Sequence, residues 1–491
     1  MRKMKKILHY GILVPLFAGL VGCGGSGSSN RNSVDEQGNV VVKMSIMNST
    51  NENPGWLAQI EAANNLLASQ GEKIVIEPEI IKTDSWDEYY TKITTNMLGR
   101  IGGTIGRIAE SHIPLMMNKN QLADVSNIVS DLLDEKDENG KALYNASAFD
   151  GVAKKDGKYY GLPSGTQHMV LYYNKTIFNQ YNQVIELAKQ EKSVAEIATA
   201  TKFEAARVQD ILNNNPSLTK LEYPSGDWNN ASTFAEIQDA AKKLSYGSTN
   251  SRRFGLSAGP FLAYAGMYAK NSGGNNIFDD NGNCAIKSQP FYDVYEWFDQ
   301  MLKVDKSMPN TSDTATSSAI DRFLSGNIAM MVDGVWQLHA INKYTEDYEI
   351  GIAAIPVKAS GYKSYSTTFA DRFWSSRTSS NKEADEKALK ALMSVEAITA
   401  LSEKQVGGLP VRDDCIDTYL ETLTTSKFAS DVNVIKQGAL NGVNVPYSTY
   451  YNIVDQRINQ KMAVWINGEM TSREFVDYMD ESMRLGMEGK L

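Results

Sequence analysis

Carboxylates and aromatic rings, rather than cysteines or histidines, carry the chemistry available to this chain. Four His and three Cys are scattered over 491 residues. None of them has the spacing of a zinc ligand set, so no metal and no cofactor is expected. No Gly-x-Ser-x-Gly elbow, His-Glu-x-x-His motif or phosphate-binding loop occurs. Glu110 and Asp333 could in principle face each other across a cleft, as glycoside hydrolysis requires. Without a nucleophile motif beside them, the pattern points to binding and away from an enzyme. Glu110 follows a short strand expected at Ile105–Ile108. A carboxylate at a strand's C-terminal end suits paired hydroxyls; its other reading is a helix N-terminal carboxylate. Asn48, Ser49 and Asn51 follow the first strand in the same way. Asp333 ends the run Ile328–Val332, as a hydroxyl acceptor or as an Asx turn.

The first 22 residues read as a targeting segment. Arg2, Lys3, Lys5 and Lys6 precede the apolar stretch Ile7–Leu20, which is too short to span a bilayer. Leu20-Val21-Gly22-Cys23 resembles the lipobox of bacterial lipoproteins, in which the Cys is lipidated and becomes the mature N-terminus. Gly24-Gly25-Ser26-Gly27-Ser28-Ser29 then reads as a flexible tether, taken as 23–39. Cleavage removes four cations and leaves 469 residues, moving the formal charge from −9 to −13. That acidity argues against nucleic acid as a partner. No other run is long and apolar enough to span a membrane. Cys284 and Cys415 could pair or remain as small buried residues.

The elements that must position these side chains alternate. Val40–Asn48 reads as a strand, Trp56–Ser69 as a helix, Lys73–Ile76 as a strand. Ser85 and Glu88 form a capping box before the next helix. Tyr159–Pro163 and Val170–Tyr173 read as strands, as do Ile105–Ile108 and Ile328–Val332. Capping boxes at Thr233/Glu236 and Thr471/Glu474 start helices. Phe291–Leu302 and Lys382–Lys404 read as further helices. Strand–helix alternation implies a mostly parallel sheet with covered faces.

Two stretches carry a family resemblance. They are Asp156-Gly157-Lys158-Tyr159-Tyr160-Gly161-Leu162-Pro163 with Leu171-Tyr172-Tyr173-Asn174-Lys175-Thr176-Ile177-Phe178, and Phe323 to Trp336 (FLSGNIAMMVDGVW). Both are similar to signatures of extracellular solute-binding proteins of the carbohydrate type, the receptors of ABC importers. Gly273–Gly282 and Val406–Val411 fit in order. A departure lies at Gly99–Gly106, where the family often has a small-Pro-Asp turn. The resemblance implies an α/β two-lobed, periplasmic-binding-protein-like clamshell with interleaved lobes and a cleft at the hinge. It also implies a carbohydrate ligand, ABC permease subunits as partners, a monomer, and export with a lipid anchor on the outer face of the cell membrane.

Sugars need flat aromatic surfaces and fixed polar groups. Within the implied cleft, Trp336 is a platform, and Phe373 or Trp374 a second. Arg372 is a donor or an ion-pair partner between lobes. Gln167 and His168 lie at the crossing, His112 is structural, and Trp228 and Tyr264 belong to the second lobe. Trp228 has the further reading of a hydrophobic staple. The expected boundaries are 40–158 with 309–370 for lobe I, and 159–308 with 371–491 for lobe II. Residues 181–221 form a helical insertion. Its helix–turn–helix pattern is charge-neutral, which argues against DNA.

Overall fold

Strand β1 (Val40–Met47) is buried along nearly its whole length, and it seeds the first sheet. The computed structural model describes residues 33–49, 52–83, 85–247, 252–310, 313, 317–344, 347–406 and 408–491. The targeting segment, Cys23 and Asn51 lie outside the described residues. Residues 33–39, expected within the tether, instead fold onto β1: Val41 N–H donates to the Ser33 carbonyl at 2.7 Å, and Asp35 closes a turn by accepting from Asn39 N–H at 2.7 Å.

The other strands are β2 (Ile74–Ile81), β3 (Ile105–Ile108), β4 (Lys154–Lys155), β5 (Lys158–Tyr159), β6 (Leu162–Pro163) and β7 (Gln167–Asn174). They continue with β8 (Phe254–Ser257), β9 (Ile328–Gly334), β10 (Ile350–Ala353), β11 (Ser366–Phe369), β12 (Arg372–Ser375) and β13 (Gly442–Asn444). One sheet has the order β2-β1-β3-β12-β6; the other has β13-β11-β7-β9-β8, with β10 also on β7. β1 runs parallel to β2 and β3, as the alternation predicts. The sheets are nevertheless mixed, because β6, β7, β11 and β12 belong to chain that crosses between sheets and pairs antiparallel. β7 is buried at every position, as a strand at the centre of a covered sheet must be.

Sheet membership corrects the expected lobe boundaries. β9, β10 and β11, assigned to lobe I, pair in the β7 sheet. β12, assigned to lobe II, pairs with β3, and the helices after it pack on Asn53–Ser69. One core therefore joins Val42–Leu162 to Phe373–Val411, and the other joins Met169–Val357 to Tyr419–Met483. The chain crosses at Ser164–Thr166, at Ala370–Asp371 and between Val411 and Ile416. The crossings are stitched together. Ser164 N–H donates to the Asp371 carbonyl, and Thr166 and Leu409 exchange both backbone bonds at 2.8 Å. Gly408 makes this approach possible: its φ is +73°, and a Cβ there would lie 2.4 Å from the Thr166 carbonyl oxygen.

The expected helix Lys382–Lys404 is two helices, Lys382–Leu392 and Val395–Ser402. Ser394 breaks it by turning its side chain to cap the Ala397 N–H at 3.2 Å. The boxes at Thr233 and Thr471 form as read. Within 181–221, helices Val194–Thr201 and Ala205–Asn214 bury Ile197, Val208 and Ile211 against the second core. Cys284 and Cys415 are unpaired, and burial raises their thiols to about 12 and about 11. Among the described residues, no helix is long and apolar enough to cross a membrane, and no group of three His, Cys, Asp or Glu could hold a metal.

Candidate ligand-binding site

The C-terminal ends of β1 and β3 aim at the gap between the two sheets, where ligands bind in open α/β folds. A cavity of about 420 Å³ lies there. Chain following β1 supplies Met47, Ser49 and Glu52; β3 and its continuation supply Arg107, Ala109 and Ser111. The crossing strands add Gln167, Phe369 and Asp371, and the second lobe adds Tyr264, Trp336, Gln337 and Tyr447.

At the cavity floor Arg107 is the central group. It is 3% exposed. Its guanidinium lies 2.5 Å from Asp371 Oδ2 and 3.3 Å from Glu52 Oε2. Its flat face lies 4.1 Å from the Trp56 ring centre and 5.2 Å from that of Trp86. A planar cation held by two carboxylates and two rings has no freedom to swing. Burial raises the Asp371 carboxyl to about 6; Arg107 pulls it down and Glu52 pushes it up. Gln167 Nε2 donates to Glu52 Oε1 at 3.4 Å.

The aromatic walls belong mainly to the second lobe. Trp336 follows β9 and meets Phe369 edge to face at 5.6 Å. Tyr264, on the helix Leu262–Lys270, meets the same ring at 6.1 Å. Asp333 accepts from Gly334 N–H at 2.7 Å and from Gln337 Nε2 at 3.2 Å, so it both makes a local turn and orients a cavity side chain. Burial raises it to about 6.

Side chains along a crossing strand alternate between opposite faces. Asp371, Gln167 and Ser111 line this cavity, while Arg372, Thr166 and Glu110 line a second one of about 950 Å³ that adjoins it through Phe369 and Tyr447. Glu110 accepts from Ala370 N–H at 3.1 Å and lies 3.7 Å from Arg372, whose guanidinium donates to the Ala148 carbonyl at 2.6 Å. Burial raises Glu110 to about 7.

The structure brings Gln167, Tyr264 and Trp336 to the aromatic cavity, with Asp333 behind Gln337. Ser49 joins them, and the exposed Asn48 lies one residue from the wall. Glu110 and Arg372 line the adjoining larger cavity. Other expectations need correction. Trp374 is fully buried over Gly106, and Phe373 packs edge to face on Trp56 at 6.2 Å. Trp228 is 2% exposed and donates to the Val434 carbonyl at 2.9 Å, away from the cleft. His168 is fully buried, and burial lowers it to about 3 against a raising contact with the Ile435 backbone. His112 is structural: it bonds Asp87 at 2.9 Å and stacks on Tyr90.

Sequence reasoning missed Glu52, Trp86, Arg107, Gln337, Phe369, Asp371 and Tyr447. One of them carried a signal. Arg107 is a charge inside a four-residue strand that is otherwise Ile, Gly and Ile, and a buried charge needs partners.

A profile of the bacterial extracellular solute-binding protein family matches residues 61–434. A binding protein of Brucella abortus (strain 2308) is 22% identical over 281 residues; the chain spans little more than half of that relative's length, 56%, and the match covers 56% of the chain. The fold is similar to an ABC substrate-binding protein of Listeria monocytogenes solved with cycloalternan. That likeness has a TM-score of 0.71 at 18% identity over 91% of this chain and 99% of that one. The GacH receptor of Streptomyces glaucescens, solved unliganded and with acarbose, gives 0.67 at 16% identity, over 91% and 98%. Maltose-bound MalE3 of T. maritima gives 0.65 at 14% identity, over 91% and 99%. With its interleaved two-lobed α/β fold and a cavity at the crossings, the chain belongs to the bacterial extracellular solute-binding protein family, whose members are binding proteins and not enzymes.

Proposed function

We propose that this solute-binding protein captures a sugar or oligosaccharide between its lobes and delivers it to the permease subunits of an ABC importer, held at the membrane through a lipid on Cys23. The observation that carries the reading is the cavity itself. Trp336, Tyr264, Phe369 and Tyr447 offer ring faces and edges, and Glu52, Gln167, Ser49, Ser111 and Gln337 offer acceptors and donors at its rim and floor. That combination matches a polyhydroxylated ring with apolar C–H faces. The ligands named for the structural neighbours, cycloalternan, acarbose and maltose, are of this class. The three crossings act as a hinge, and ligand between the lobes draws the population towards the closed form.

A thermal-shift panel of mono- and oligosaccharides tests the reading, because a ligand that binds only the folded state raises its melting temperature. At least one saccharide is expected to give a dose-dependent rise, and Trp336→Ala to reduce affinity at least tenfold, about 1.4 kcal/mol. No shift with any saccharide sinks it. Labelling with radioactive palmitate in a bacterial host, lost in Cys23→Ser, tests the anchor. The alternative is a surface glycan-binding or sensor lipoprotein without a dedicated transporter, or a receptor for a non-sugar solute. The charged floor of the cavity is the observation in favour of the last.

A further inference from the structure

Negative charge around the cavity exceeds the positive charge that faces it. Arg107 is the single cation among the described lining residues, and Glu52 and Asp371 both lie against it. Asp371 uses Oδ2 for Arg107, which leaves Oδ1 as an acceptor directed to no described donor. Two further carboxylates stand close by. Asp333 sits behind Gln337 and Trp336, with hydrogen bonds but no ion pair among the described residues. Asp455, on the helix Tyr451–Ile466, accepts from Asn459 at 2.9 Å and likewise has no ion pair among the described residues. It lies near enough to the cavity residues Tyr264 and Tyr447 for its charge to add to the burial that raises their phenols.

Rings surround these carboxylates. Trp86, Tyr264, Trp336, Phe369 and Tyr447 line the same space. Aromatic faces beside desolvated carboxylates form the arrangement that favours an organic cation, through the ring quadrupole and through direct charge pairing. A neutral sugar would satisfy the hydroxyl-binding groups but leave the surplus charge in place. A ligand carrying one ammonium group would neutralise it.

Resting on the sugar-receptor reading above, we propose that the ligand is an amino sugar, bound with its protonated amine against Asp371 and Glu52 at the cavity floor. The charged and titratable groups facing Asp371 are Arg107, Glu52, Arg372 and Glu110. Of these, Glu52 and Glu110 oppose its ionisation, and a ligand ammonium would support it.

Matched pairs test the proposal: glucosamine against glucose, galactosamine against galactose, mannosamine against mannose, and the 1,4-linked dimers of each, by isothermal titration calorimetry with the purified protein. In at least one pair the amine form is expected to bind tenfold or more tighter at pH 7. That preference should shrink at pH 5, where Asp371 takes up a proton while the amine keeps its charge. Asp371→Asn and Glu52→Gln should each reduce the preference at least fivefold, read within each variant as the ratio of amine to neutral affinity. Two variants are used because Asp371→Asn also removes a partner of the buried Arg107; Glu52→Gln reports independently. If every pair that binds favours the neutral sugar or shows no difference, the amine proposal is overturned while the sugar reading survives. If both variants fold and keep the full preference, the proposal is likewise overturned. Binding of putrescine or spermidine with no saccharide bound in any pair overturns the sugar reading, and the amino-sugar assignment with it.

Discussion

Glu110 shows how one residue's surroundings set its role. The sequence places a carboxylate after a strand, which suits either a ligand or a helix start. The fold sets it beside Arg372 and the Ala370 N–H, and burial raises it to about 7. A carboxyl whose folded pKa lies above its usual value near 4.5 holds its proton more tightly folded than unfolded. Its contribution therefore favours folding fully below the unfolded value, and declines as pH rises from about 4.5 to about 7. Glu110→Gln removes that dependence. Its melting temperature should exceed the wild type's at pH 7.5 by an amount reflecting about 1–3 kcal/mol, with little difference at pH 4.5. Thermal melts across this range check it, and a variant less stable at pH 7.5 would show that the ionised pair with Arg372 outweighs desolvation. The sequence hid these surroundings because the Ala370 N–H lies 260 residues further along the chain. Arg107 was legible in part: its type and strand position announce a paired charge, but its partners lie 55 and 264 residues away.

At the scale of elements, local signals served where the interaction is local. The Thr233 and Thr471 capping boxes join groups three residues apart, and they form as read. The Lys382–Lys404 expectation failed because helix propensity outvoted Ser394, whose side chain finds a better partner in a new first turn. The glycine-rich stretch before β3 departs from the family's usual turn, and the structure supplies a reason. Gly103 N–H donates to Glu79 at 2.9 Å, and Gly106 lies under Trp374. A Cβ on Gly106 would sit 2.5 Å from Trp374 Cζ2 and 2.7 Å from the Ser45 carbonyl oxygen. Gly106→Ala is thus expected to cost about 1–3 kcal/mol by overpacking the β1–β3–β12 junction. Urea unfolding followed by tryptophan fluorescence measures it; an unchanged midpoint would mean that Trp374 has room to move.

For the whole molecule, closure depends on contacts that no single lobe contains. Gln456, on the second lobe, donates to Asp87 Oδ2 at 3.2 Å, and His112 of the first lobe holds the other oxygen at 2.9 Å. His112 also bonds Ser111, which lines the cavity, so the rim contact and the ligand site share one chain of hydrogen bonds. An exposed hydrogen bond of this kind is worth about 0.5–1.5 kcal/mol. Gln456→Ala should weaken ligand binding about two- to tenfold while leaving the melting temperature of the ligand-free protein nearly unchanged. Titration calorimetry with whichever saccharide the panel identifies, together with small-angle scattering of the ligand-free protein, checks this; unchanged affinity would remove the contact from the closure mechanism. The sequence by itself determined the class of molecule. Its alternation of strands and amphipathic helices implied the α/β class, and the family resemblance carried by its motifs at Asp156–Phe178 and Phe323–Trp336 implied a two-lobed binding protein. Only the tertiary structure decided which lobe each late segment joins and which side chains meet at the cleft. Periodicity and caps are energies between neighbours a few residues apart, readable one window at a time. A crossing strand, by contrast, pairs with whichever edge the rest of the chain has left open, and a one-residue step along it moves a side chain to the opposite face of its sheet.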